Sequence, residues 1–157
     1  MQNRMKTHPL SQEQIQALLE KSPTGALSTL GPDGAPYAVP VHFAVLDGAL
    51  YFHGLPAGQK LDNLKADRRV CLTVWEMEGF LLAPEGTPCD TNTAYESVVV
   101  QGTAALVEEL EDKARALNAI VGKYTPHLAG QALPENMVRG TAVVKITPTA
   151  ITGKYYR

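Results

Sequence analysis

The strongest local hint of chemistry in this chain is Gly54-Leu55-Pro56-Ala57-Gly58-Gln59-Lys60. A strand-like run ends at Gly54, the glycines permit a turn that aims backbone N–H groups outward, and a lysine stands where a helix begins. Those are the parts of a phosphate cradle. It is not a Walker loop, because its glycines are one residue too close and Leu61 follows the lysine where Ser or Thr is needed. An ordinary strand-to-helix loop with a solvated lysine accounts for the same residues, and the loop by itself favours that plainer reading.

The side chains around the loop add a second set of candidates. His53 precedes it, and strand alternation puts His53 on the face of Tyr51, opposite Leu50 and Phe52. His42, on the preceding strand, faces away from the row Tyr37, Val39, Val41. An imidazole suits proton transfer near neutral pH, while a packed or half-exposed strand histidine is the plainer reading of each. The four histidines, His8, His42, His53 and His127, show no HxH or HExxH spacing, so no metal site is expected. There is no GxSxG elbow to anchor a hydrolase triad. Ser97 and Gln101 interrupt an otherwise apolar strand, and buried polar groups require partners, either a ligand or a neighbouring backbone. Trp75 reads as a core or interface side chain ahead of one that stacks on a bound ring. Cys71 and Cys89, with no CxxC, read as free thiols in a reducing compartment, Cys71 in the core and Cys89 in a loop.

Positioning these groups requires a framework, and the hydrophobic pattern supplies one. Ser11-Gln12-Glu13-Gln14 fits a capping box opening a helix over 11–21. Strands follow at 26–30, 36–46 and 49–54, with Asp47-Gly48 as a two-residue hairpin turn. Pro40 removes a ladder donor, which places its strand at an edge, a bulge or a split. A short helix over 60–66 leads to a strand at 70–76. Residues 77–95, with Gly79, Pro84, Gly86 and Pro88, read as a long loop, of the kind that is usually functional or a lid. A strand at 96–108, a helix at 110–124 with Leu110, Ala114, Leu117 and Val121 inward, a helical turn near Pro134 and a strand at 141–152 complete the chain. The six strands and their hairpin connections predict a mainly β fold, an antiparallel barrel-like sheet with short flanking helices. It forms a single domain over 10–157 after a loose arm at 1–9. Strands apolar on both faces need cover on both sides, which at this length predicts a homodimer.

Composition narrows the partners. Fourteen Lys+Arg against sixteen Asp+Glu give a net charge of −2, with 45% hydrophobic residues over 157, so there is no basic excess for a nucleic acid. No run approaches the ~18 apolar residues of a membrane span. The opening MQNRMKTHPL has no apolar core of a secretory signal, which predicts a cytoplasmic protein.

The ordered segments PYAVPVHF, LYFHG, AGQKLDNLKADRRVCLTVWE, PCD with YESVVVQGTA, and VVKITPTAITGK resemble the pyridoxamine 5′-phosphate oxidase-like FMN-binding split barrels. Among them the chain is most similar to the Nim nitroimidazole reductase-like subgroup. The resemblance spans roughly residues 10–154. It implies a six-stranded split β-barrel, a homodimer, and FMN at the dimer interface. Val39, Pro40, Val41 and His42 would give backbone contacts to the flavin ring edge, and Phe52 and His53 would form a strand-end pair beside it. Gln59 and Lys60 match a basic phosphate-binding pair in which Gln59 replaces a charge, and Ser97 matches a polar cofactor contact. His53 matches a histidine at the flavin's reactive face, which makes it the candidate catalytic residue; Tyr95, Trp75 and Gly153-Lys154 are weaker matches. The implied activity is electron transfer from a nicotinamide or a reductase to a small acceptor such as a nitroaromatic or quinone. KYYR at the end does not match the Arg-containing segment that holds substrate in pyridoxamine phosphate oxidases, which speaks against the parent activity. A non-catalytic flavin or haem binder is the alternative, with His53 or His42 on the iron.

Overall fold

Pro40 decides the architecture. The strand expected over 36–46 is two strands, β2 (Pro36–Val41) and β3 (Phe43–Leu46), with His42 between them. The others are β1 (Gly25–Leu30), β4 (Ala49–Gly54), β5 (Arg69–Leu81), β6 (Asn92–Leu106) and β7 (Ala142–Tyr156). In this computed structural model, which describes residues 3–84, 86 and 88–157, they form one antiparallel sheet in the order β2-β1-β5-β6-β7-β4-β3. The two edge strands are therefore consecutive in sequence. A sheet whose opposite edges are joined by a single residue must curl until they meet, which makes it a split barrel. The strand number is corrected from six to seven, because a proline without an N–H ends one edge and the chain crosses to the other.

The barrel interior is filled by Leu27, Phe43, Leu50, Phe52, Leu72, Val74, Val98, Val100 and Ile146, each essentially inaccessible to solvent. Alternation along β1, β5 and β6 turns every second residue outward. Cys71 is one of those and is only half-buried, so it belongs to the outer wall rather than the core. The Asp47-Gly48 hairpin turn has positive φ at both residues, 50° and 75°, as a type I′ turn requires.

The helices lie outside the barrel: α1 (Asn3–Thr7), α2 (Gln12–Lys21), α3 (Gln59–Ala66), α4 (Leu110–Tyr124) and α5 (Glu135–Gly140). The capping box forms: Ser11 Oγ accepts from the Gln14 N–H and the Gln14 side chain accepts from the Ser11 N–H. Helix α4 packs over β3 and β4 through Ala116 and Ile120, one residue round from the face expected from Leu110 and Ala114. The small Ala116 lets the helix settle closely on Tyr51 and Val143.

The segment 77–95 is strand at its two ends and loop between them, so the expected loop shrinks to about 82–91. β5 and β6 continue as a paired ribbon out to Leu81↔Asn92, with a register shift between Met77 and Gly79. Gly79 has φ 141°, a backbone that side chains rarely adopt, and with Pro84, Gly86 and Pro88 after it the strand end reads as part of the loop. Outward along β5 and just beyond it stand Trp75, Met77, Phe80 and Leu82, which are 60%, 54%, 65% and 75% exposed.

Candidate functional site

The register of β3 on β4 runs from Leu46↔Ala49 to Phe43↔Phe52. Its next step sets His42 opposite His53, just past the last paired residues. His53 stands on the outer face with Tyr51, as alternation predicts, and Phe52 points into the barrel. Phe52 can thus offer a ligand only its backbone, and the same holds for Val41, which is buried in the core.

Tyr124, at the end of α4, fixes the junction. Its hydroxyl accepts from the Phe43 N–H at 2.9 Å and lies 2.9 Å from both the Phe43 and Pro23 carbonyl oxygens, to one of which it donates. Burial raises its pKa, partly opposed by the Phe43 hydrogen bond. The His42 ring packs on the Tyr124 ring at 4.8 Å between centroids.

Burial against α4 lowers the pKa of His53 from the ordinary value, and the nearby His42 and Lys60 push the same way. One side of the ring remains open to solvent, so burial acts through the part turned toward the helix. The shift favours the neutral imidazole, which can donate at one nitrogen and accept at the other.

Lys60 enters from the first turn of α3. A Cβ built on Gly54 would lie 3.4 Å from the Lys60 Nζ, so the glycine leaves room for the lysine to fold back over the strand end. Gly58, at φ 135°, starts α3 with no side-chain cap, which leaves its positive end open toward an anion. Two imidazoles, an ammonium and a bare helix N-terminus thus converge. Gln59 turns elsewhere: its amide donates to Asn63, which donates to Thr29, tying α3 to β1.

Val39 and Pro40 lie on β2, whose single strand neighbour is β1, so the free side of the strand offers backbone groups to a ligand. Across the outer face, Pro40 pairs with Ala26, Ala26 with Thr73 and Thr73 with Val99. Ser97 is two residues beyond, facing Trp75 and Lys154 in register. Three strand spacings and two residues put it about 16 Å from Pro40. The structure therefore gathers His42, His53 and Lys60 and leaves Ser97 apart. The Ser97 Oγ is buried without any hydrogen-bond partner, the one such side-chain atom among the described residues, and so awaits one. The weaker candidates Tyr95 and Lys154 lie together at this distant end, with the ammonium 5.5 Å from the ring centroid.

Sequence reasoning missed Tyr124 and a cavity of about 260 Å³ between His53, α4 and α5. The spacing Leu117, Val121, Tyr124 on one helix flank was the available signal. Among the described residues, no group of three or more His, Cys, Asp or Glu could hold a metal ion, and no helix is long and apolar enough to cross a membrane.

The fold is similar to that of a Bacteroides thetaiotaomicron protein named for 5-nitroimidazole antibiotic resistance. The two are 26% identical with a TM-score of 0.81, over 94% of this chain and 86% of that one. An FAD and haem binding protein from Mycobacterium smegmatis is 20% identical with a TM-score of 0.84, over 94% and 72% of the two chains. The flavocytochrome Anf3 from Azotobacter vinelandii is 23% identical with a TM-score of 0.80, over 94% and 68%. At such identities the last two speak for the fold alone. No curated protein matches the chain. The family model described as pyridoxamine 5′-phosphate oxidase matches residues 11–155, nearly the whole length; the chain belongs to the pyridoxamine 5′-phosphate oxidase family.

Proposed function

We propose that this chain is a cytoplasmic, homodimeric FMN-dependent oxidoreductase of the Nim-like kind. It takes electrons from a nicotinamide or a reductase and delivers them to a small acceptor such as a nitroaromatic or quinone. The observation that carries this reading is the convergence of Lys60, His42, His53 and the uncapped start of α3. Such a site favours a doubly charged phosphate.

The residues fit the cofactor. Lys60 and the first turn of α3 would hold the phosphate, and the free edge of β2 at Val39, Pro40, Val41 and His42 would meet the ring's polar edge. The orphaned Ser97 hydroxyl marks a second contact, reached across the outer face or through assembly. FMN supplies hydride and one-electron chemistry that no side chain here offers. The chain's own part is to bind, to orient and to exclude water. Neutral His53 would hold a proton at one ring nitrogen for the acceptor. The exposed apolar residues Trp75, Met77 and Phe80 support a dimer seam along the β5–β6 ribbon.

The test is the visible spectrum of the purified protein, with and without added FMN. Flavin bands and a Lys60→Ala variant binding FMN at least tenfold more weakly are expected, since a charge-assisted hydrogen bond contributes about 1.5–3 kcal/mol. Undiminished affinity in Lys60→Ala would place the phosphate elsewhere. Two imidazoles facing each other across β3 and β4 favour a second reading, a non-catalytic flavin or haem binder. A Soret band in place of flavin bands would select haem.

A further inference from the structure

We infer that the cavity between α4, α5 and the end of β4 is a binding pocket for a small, neutral, mostly apolar ring compound carrying one hydrogen-bonding oxygen at its His53 end. Its volume of about 260 Å³ lies just under the range of drug-sized sites, so it suits one or two fused rings. The walls are apolar: Leu117, Ile120 and Val121 from α4, Leu133 from the connection, and Met137 and Val138 from α5.

The polar atoms of the lining decide what can enter. Thr125 Oγ1 donates to the Val121 carbonyl and Thr141 Oγ1 to the Met137 carbonyl. The Tyr124 hydroxyl accepts from the Phe43 amide and gives its one proton to the Phe43 or the Pro23 carbonyl. All three hydroxyls are thus committed to the protein's own backbone, and His53 is the lining side chain left to address an occupant. A charged ligand would lose its hydration here without a countercharge, a large penalty. A neutral ring that turns one oxygen toward His53 and any second oxygen toward the exposed rim at Met137 loses little and gains one hydrogen bond. A quinone or a nitroaromatic can lie in that way. That this occupant is the electron acceptor rests on the function proposed above; that it binds does not.

The test uses the full chain as purified, with and without FMN, and 2-methyl-1,4-naphthoquinone as the probe. Saturable shifts are expected in the methyl resonances of Leu117, Ile120, Val121 and Val138. 1,4-Naphthoquinone-2-sulfonate should bind at least thirtyfold more weakly. Met137→Trp adds bulk at the rim from a side chain 62% exposed, so the fold tolerates it, and should weaken the naphthoquinone at least tenfold; Val121→Trp plugs the interior to the same effect. Shifts centred on other methyls, equal binding of the sulfonate, or an unmoved affinity in Met137→Trp would each overturn the assignment. If the naphthoquinone binds here while FMN does not bind, the redox reading falls and the pocket stands. If FMN binds and turns over while these methyls stay still, the pocket falls and the redox reading stands.

Discussion

The outer wall of the barrel is treated in two opposite ways. Over β3 and β4 it is covered: α4 seals Tyr51 and Val143 through Ala116, and Tyr124 satisfies the amide and carbonyl where the sheet edges meet. The lining hydroxyls there are spoken for. Over β2, β1, β5 and β6 the wall is bare. Small and apolar residues such as Pro40, Ala26 and Val99 stand outward, a ribbon of Trp75, Met77 and Phe80 projects beyond, and Ser97 keeps an unpartnered hydroxyl. The covered wall is finished within one chain and the bare wall is not. On the function proposed above, the covered side would hold the small-molecule pocket and the bare side the cofactor and a second copy.

The two walls are held in one sheet by β7, which pairs with β4 through residues 142–146 and with β6 through residues 144–156. Their register breaks between Gln101 and Gly102. A Cβ on Gly102 would collide with the Thr147 carbonyl oxygen, and neither backbone can yield. Gly102→Ala should therefore have the largest effect of all, a loss of more than about 4 kcal/mol and failure to recover soluble protein. Normal urea unfolding of that variant would show the two walls to be less firmly coupled than the register implies.

Next in size is the bare wall's partner. The double variant Trp75→Glu, Phe80→Glu places like charges on side chains that are already exposed, so the thermal midpoint should hardly move. The dimer dissociation constant from sedimentation should rise at least a hundredfold. A dimer that persists would locate the seam elsewhere. On the covered side, His53→Ala should retain FMN and lose about a hundredfold in turnover, the low end of general acid–base effects. Unchanged steady-state rates in yellow protein would remove His53 from the chemistry.

Much of this contrast is visible in the amino-acid order. Pro40 announces the split, alternation turns His53 outward, and the glycine-bearing turn after Gly54 leads into α3 with Lys60 in its first turn. What stays hidden depends on distant packing. His42 meets His53 only because the two edges of the sheet close on one another, and Tyr124 joins them from eighty-one residues away from Phe43. Gln59, which reads as half of a phosphate pair, is taken by Asn63 instead. The ribbon is lost to sequence reading because Gly79 breaks its period and Pro84, Gly86 and Pro88 follow so soon after it.

Completion of the covered wall carries an electrostatic cost, and Lys123 exposes it. Its ammonium donates to the Leu19 carbonyl at the end of α2 and sits 3.9 Å above the Phe43 ring. Burial lowers its pKa to about 8, only partly offset by Glu20. Between that value and the ordinary lysine value of ~10.4 the unfolded chain binds more proton than the folded one, so folding stability rises with pH across this window. Fully buried, the gap would amount to about 3 kcal/mol; with the side chain half in solvent, screening leaves about 1 kcal/mol. Relative to Lys123→Met, the native chain should therefore gain about 1 kcal/mol in urea unfolding between pH 7.5 and pH 10. Both proteins carry Tyr124, so its own titration largely cancels in the difference. A gap that stays constant with pH would mean that the ammonium reaches water freely and that α4 covers this wall less tightly than its contacts imply.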